Sequence, residues 1–355
     1  MKSKSIITFI TVLMGFYCTN LRAELPPDYQ FTFIPELSGP LSLNNTGQVA
    51  GTVLVAGGNH IALWENGVIT ILGPGTASGI NNLGQIVGSG STGGGFPSAM
   101  IWSKNAPPIV LNDLEGGGGS GSNGLGINDA GQVVGWSTTP GNPFTNVPTI
   151  WNGVTPTQLP SLGTLEGQAS AINNNGQATG YSNIGTLSDA SIRAMLWQGN
   201  TVTDLGTLNG SNNSIGRSIN DAGQVVGSST VGPTGSDHAF LWSNGVMIDL
   251  GTLGGVDAFS SASDINHSGQ IVGGSTFTPD DEGVAVIWDN GQIYDLNSFW
   301  MPVWCRKGGF SQARMRSTIL GRYWRSWSIL NWVAVGMRYS LLCRSPIPTP
   351  CWSPG

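Results

Sequence analysis

The sequence predicts an all-β protein, a β-propeller of tandem four-stranded blades, and three recurring markers carry that expectation. A Gly-Gln pair occurs six times, at Gly47, Gly84, Gly131, Gly176, Gly223 and Gly269, at intervals of 37, 47, 45, 47 and 46 residues. Another glycine stands four residues beyond each paired glycine, at Gly51, Gly88, Gly135, Gly180, Gly227 and Gly273. A tryptophan then closes the period, at Trp64, Trp102, Trp151, Trp197, Trp242 and Trp288. Three markers repeating in step exclude composition bias and define six units, each about the length of one propeller blade.

The fifth unit illustrates the elements in order. Ser218-Ile219-Asn220 ends a first strand and leads into Asp221-Ala222-Gly223-Gln224, a tight turn whose Asp and Gly tolerate positive φ. Val225-Val226 form a second strand, expected to end at Gly227, where another backbone can approach closely. A variable loop precedes a third strand, His238-Ala239-Phe240-Leu241-Trp242. Asn244-Gly245 is a hairpin signal that hands over to a fourth strand, Val246 to Leu250. Strands two and three are apolar on both faces, as sheets covered on both sides are. A lone unit cannot bury both faces, so neighbouring units must supply the cover. A β-solenoid is the alternative, but its coils are usually shorter and lack two tight hairpins per unit.

Three domains follow. Residues 1–23 read as a signal peptide: Lys2 and Lys4 precede an apolar run from Ile6 to Tyr17, too short to span a bilayer, and Glu24 is the expected mature start. Bulky Tyr17 before Cys18 argues against a lipidated cysteine. Residues 24–299 hold the repeats. Tyr29 to Leu37 reads as an isolated fourth strand with Pro35-Glu36-Leu37 in place of Asp-Leu-Gly, which propellers use to complete their last blade from the other terminus. Residues 300–355 change character: Met301 to Gly355 hold eight of the 14 basic residues and none of the 20 acidic ones. Reread two nucleotides later, with suitable synonymous codons, Met315 to Trp327 spell Ala-Leu-Asn-Asp-Ile-Gly-Gln-Val-Leu-Ala-Val-Val, and Gly336 to Ser340 contribute His-Ala-Leu-Leu. The tail is therefore expected to be a frameshifted seventh blade.

Asp221-Ala222-Gly223-Gln224-Val225-Val226-Gly227, His238-Ala239-Phe240-Leu241-Trp242 and Asp249-Leu250-Gly251-Thr252-Leu253-Gly254-Gly255 together resemble the bacterial extracellular repeat known as the HAF family. The resemblance covers roughly Tyr29 to Phe299. The His-Ala-Phe string is intact only at His238; Val147 and Arg193 replace the histidine in the third and fourth units, and the second unit is short. What the resemblance implies is a secreted repeat protein, without any known reaction.

Composition narrows the partners. The repeat region carries three basic residues, Lys104, Arg193 and Arg217, against all 20 acidic ones, a balance of −17. Phosphate backbones need clustered Lys and Arg, so nucleic acid is excluded as a partner, as is an anionic membrane surface. With no transmembrane helix after the leader, the chain is not expected to be an integral membrane protein. No cysteine occurs between Glu24 and Phe299, so packing and backbone pairing must stabilise the fold without disulfides.

No catalytic or cofactor-binding residue is assigned, and no cofactor is expected. His60 and His238 lie four residues before their tryptophans in the first and fifth units, and His267 lies in a turn; none has zinc-ligand spacing. Asp204, Asp249, Asp295 and, less clearly, Asp113 recur near the end of the fourth strand, where Asp caps a turn. A glycosidase would need two carboxylates facing across a sugar. Asp280-Asp281-Glu282 is the single acidic loop with a weak case for calcium, and it lacks an alternating Asp/Asn pattern. Gly93-Gly94-Gly95 and Gly116 to Gly119 open no helix and are no phosphate loops. The six tryptophans read as core rather than as a binding platform.

Function therefore falls to the variable loops on a constant scaffold: Leu114 to Gly124, Trp136 to Val147, Tyr181 to Ile192 and Phe277 to Gly283. The reading is a secreted, non-enzymatic module that binds an extracellular protein or glycan. An extracellular polysaccharide-acting enzyme on the same scaffold is the alternative.

Overall fold

The computed structural model describes residues 6–8, 30–32, 34 and 37–296, apart from 92, 94, 115–120, 140–141, 164–165, 186–190, 233–234, 256 and 280–282. Six four-stranded antiparallel sheets follow one another, each with its strands in sequence order. Blade 1 spans residues 38–74, blade 2 76–110, blade 3 122–158, blade 4 167–204, blade 5 214–249 and blade 6 260–295. First strands of successive blades neighbour one another from blade 1 to blade 6, forming the inner wall around the axis. This is the predicted propeller of four-stranded blades; the meander places the Gly-Gln turn and the Trp-x-Asn-Gly hairpin at one end. The tail and the Asp280–Glu282 loop lie outside the described residues.

Blade 5 has strands Ser214–Ile219, Val225–Val231, Ser236–Ser243 and Val246–Asp249. Its second strand does not end at Gly227, as expected, but runs through it to Val231. The first strand bulges opposite this glycine, between Gly216 and Ser218. A Cβ on Gly227 would lie 1.9 Å from the carbonyl oxygen of Ile215. Gly88, Gly135, Gly180 and Gly273 face the same obstruction, 1.9, 1.9, 2.0 and 2.1 Å from a first-strand carbonyl. The glycine thus serves the bulge without stopping the strand.

Apolar residues of adjoining blades merge into five clusters, one per junction. Between blades 3 and 4, for example, Val134 and Leu159 meet Ala169, Ile172, Met195 and Trp197. Trp102, Trp151, Trp197 and Trp288 are buried, whereas Trp64 and Trp242 are half-buried, a departure from the sequence expectation. Each indole faces the preceding blade. Trp64 has no described blade before it and rests instead on the cluster containing Ile34 and Leu37. At Trp242 the reason is local volume: Phe240, fully buried, fills a position held elsewhere by Ala62, Met100, Thr149, Met195 and Val286.

Gln30–Thr32 forms a strand, but it pairs in parallel with Ile6–Thr8 rather than with a blade. Further along, Ile34 and Leu37 are each 1% exposed against blade 1. Leu205 and Leu208 hold the same relation to blade 5. Ile34-Pro35-Glu36-Leu37 therefore aligns with Leu205-Gly206-Thr207-Leu208, a register two residues different from the sequence reading.

Candidate functional site

Polar chemistry concentrates at the short-turn end, beginning with an asparagine three residues before each Gly-Gln glycine. In blade 1 the Oδ1 of Asn44 accepts from the N–H groups of Thr46 and Gln48, and its Nδ2 donates to Gln48 Oε1 at 2.7 Å. The same Nδ2 crosses to the next blade and donates to the carbonyl of Asn81 at 2.9 Å. This crossing repeats from Asn81 to Asn128, Asn128 to Asn173, Asn173 to Asn220 and Asn220 to Asn266. A second ladder runs beside it. The N–H groups of Asn45, Asn82, Asp129 and Asn174 donate to the Oδ1 atoms of Asn82, Asp129, Asn174 and Asp221, each in the following blade. Positive φ at the six turn glycines, between 72° and 82°, brings each turn round to make these contacts.

The paired glutamines complete the end surface. Gln132 Nε2 donates to Asn152 Oδ1 at 2.9 Å, and Gln48 Nε2 donates to Glu65 Oε1 at the same distance. Glu65 also meets Lys104 of blade 2 at 3.2 Å. The hydrogen bond from Gln48, then Lys104, holds the Glu65 carboxyl below its ordinary range.

Between blades 3 and 4 this end opens into a cavity of about 200 Å³. Gln132, Asn152, Thr157, Gln158 and Asn200 supply amides and a hydroxyl, while Ile150, Ala178 and Trp197 supply apolar surface. Trp197 is held by its Nε1–H, which donates to the carbonyl of Pro160 at 2.8 Å. The lining contains no carboxylate, histidine, cysteine, lysine or arginine. It lies at the end opposite the variable loops, parts of which fall outside the described residues.

The ionisable residues singled out from the sequence are dispersed. His60, His238 and His267 sit in blades 1, 5 and 6. His60 Nδ1 lies 3.2 Å from the carbonyl of Gly58. His238 is buried, with Nδ1 2.8 Å from Asp249 Oδ2; its Nε2 has no partner among the described residues. The other oxygen of Asp249 accepts from Gly251 N–H at 2.7 Å, and Asp204 accepts from Gly206 N–H at 2.8 Å. These carboxylates cap the turn into the inter-blade link, which is why they repeat. Asp113 is buried in blade 2's link and Asp295 ends blade 6, so neither meets another across a common pocket. Asp237, next to His238, accepts from Thr230 Oγ1 at 3.0 Å. Burial raises its carboxyl above the ordinary range, against the opposing effects of Thr230, Arg217 and His238. Among the described residues no group of three or more His, Cys, Asp or Glu side chains is placed to hold a metal.

The asparagine ladder and the inter-blade cavity were both missed in the sequence. The first left a signal: Asn44, Asn81, Asn128, Asn173, Asn220 and Asn266 keep strict step with the glycines. The second left none, because its walls come from two blades.

Fold and site together define the class: a β-propeller repeat protein whose blades are locked by side-chain amides. No protein-family model matches the chain, and no curated protein matches it. Solved structures do. The β-propeller domain of the Trilobed protease from Pyrococcus furiosus, described as having an open velcro topology, superposes with a TM-score of 0.52 at 10% identity. That match covers 73% of this chain and 85% of the other. TolB from Acinetobacter baumannii gives 0.42 at 13% identity, covering 58% and 51%. A lectin from Aleuria aurantia crystallised with a fucoside gives 0.39 at 13% identity, covering 73% and 94%. Likeness at these identities defines the fold. Among the described residues, no helix is long and apolar enough to cross a membrane.

Proposed function

We propose that this protein is an exported, non-enzymatic propeller that binds a neutral saccharide in the groove between blades 3 and 4. The composition of that groove carries the reading. Amides and a hydroxyl both donate and accept hydrogen bonds, as sugar hydroxyls require, and the apolar flank suits the C–H face of a pyranose. At about 200 Å³ the cavity is smaller than the roughly 300–1,000 Å³ typical of larger ligands, which suits a single ring. General acid–base catalysis needs a titratable group within reach of the bond to be broken, and this lining supplies none. Export is supported by Lys2, Lys4 and the apolar run that follows.

A glycan array on the purified protein tests the reading. Neutral glycans should bind, and Asn152→Ala or Gln158→Ala should weaken binding about tenfold, the effect of losing one or two good hydrogen bonds. Both side chains are exposed, so the melting temperature should not change. Binding indifferent to both substitutions, or confined to anionic glycans, defeats the proposal.

A further inference from the structure

We propose that the ring is completed by a seventh unit of the same repeat, encoded in the reading frame displaced by two nucleotides across residues 315–340. The two ladders carry this inference, because they are directional and neither continues beyond blade 6: the first stops there and the second at blade 5. Asn44, Asn81, Asn128, Asn173 and Asn220 are buried and donate to the following blade. Asn266 is the one exposed member, and among the described residues its Nδ2 meets only Gln270 Oε1, at 2.8 Å. Beside it, His267 stands where the preceding blades carry Asn or Asp, so the second ladder ends at Asp221. At the other end, among the described residues, the Asn44 carbonyl and the Asn45 side chain receive no donor from another blade.

Blade 1 defines what must arrive. Ile34 and Leu37 already occupy the place of an inter-blade link, so the blade preceding blade 1 takes its last strand and link from the N-terminal side. Its first three strands must follow blade 6 in the chain. The displaced frame can supply the right chemistry in the right order. Its Asn-Asp-Ile-Gly-Gln offers an asparagine carbonyl to Asn266 Nδ2 and an aspartate oxygen to the N–H of His267. The same asparagine can then donate to the Asn44 carbonyl, and the aspartate N–H to Asn45 Oδ1. His-Ala-Leu-Leu follows as the start of a third strand. Asp264 leaves room for this neighbour: its Oδ1 accepts from Ser218 Oγ at 2.5 Å, which turns the carboxylate back toward blade 5.

Sequencing the gene, then expressing both the present chain and a frame-restored one, tests this independently of saccharide binding. The codons across 315–340 should yield Asn-Asp-x-Gly-Gln, and the restored chain should melt several degrees higher. Asn266→Ala removes the turn bonds that Asn266 makes with Ser268 and Gln270 in either chain, so it should lower the melting temperature of the restored chain clearly more than that of the present one. Asn173→Ala, as a control on the ladder itself, should lower both. Codons incapable of Gly-Gln, or a restored chain that loses no more than the present one on Asn266→Ala, overturn the proposal. So does a dimer of the present chain that Asn266→Ala dissociates, because a second copy would then occupy the edge.

Discussion

At the scale of single residues, the second glycine of each repeat is the most constrained position. A methyl group on Gly180 would sit 2.0 Å from the carbonyl oxygen of Gln168, and the bulged first strand cannot withdraw without breaking contact with blade 3. Gly180→Ala should therefore destabilise the fold by about 3 kcal/mol, the upper range for overpacking a rigid interior, as read by urea denaturation. Gly199, which has open space around its absent Cβ, is the internal comparison: φ is positive there, so alanine should cost only about 1 kcal/mol. Asp237 gives a pH test. Its folded-state pKa lies above the unfolded value, so its contribution is complete below that value and is lost as pH rises through the folded one. Asp237→Asn should melt increasingly above the parent as pH rises from the ordinary carboxylate range through the raised folded-state pKa. A constant difference across that rise would contradict the burial of this carboxyl, which Thr230, Arg217 and His238 oppose.

Strands and blades were the most readable level. Gly-Gln and Asn-Gly turns and a tryptophan per period placed the third and fourth strands of blade 5 within two residues at either end, while of the first strand only the end was read. The second strand was cut short because a glycine opposite a bulge looks, in one dimension, like a terminator. Burial of Trp64 and Trp242 was overestimated because it depends on the neighbour across a junction, and a repeat pattern treats all junctions as equal. The asparagine ladder showed its positions, in step with the glycines, but not its bonds, because each rung joins residues 37 to 47 positions apart. Trp197 offers the test at this scale. It is 1% exposed, packs against Val134 and Leu159 of blade 3, and is tied to Pro160. Trp197→Ala should cost about 3–5 kcal/mol. Trp242→Ala, at a half-buried site, should cost distinctly less.

For the whole molecule, stability comes from repetition rather than from cross-links. Five equivalent apolar junctions and the amide ladders tie each blade mainly to its neighbours, so energetic coupling is short-ranged along the ring. No metal is called for by the described residues. Chelation should accordingly leave the melting temperature unchanged in calorimetry; a clear drop would redirect attention to Asp280, Asp281 and Glu282. The surplus of acid across the repeats makes like charges on neighbouring blades repel.

The asparagine ladder also bears on how such a chain changes its length. Every rung uses the same donor and the same acceptor, so nothing in the rung records which blade it belongs to. Removing residues 129–173, from just after one rung asparagine through the next, joins Asn128 directly to Asn174. The splice restores an Asn-Asn-x-Gly-Gln turn, in which Asn81 keeps the Asn128 carbonyl and the Asn82 N–H finds Asn174 Oδ1 in place of Asp129 Oδ1. Duplication by the same cut adds a blade without new chemistry. A local lock that is identical everywhere permits the count to drift, and leaves curvature of the ring to decide where the drift stops.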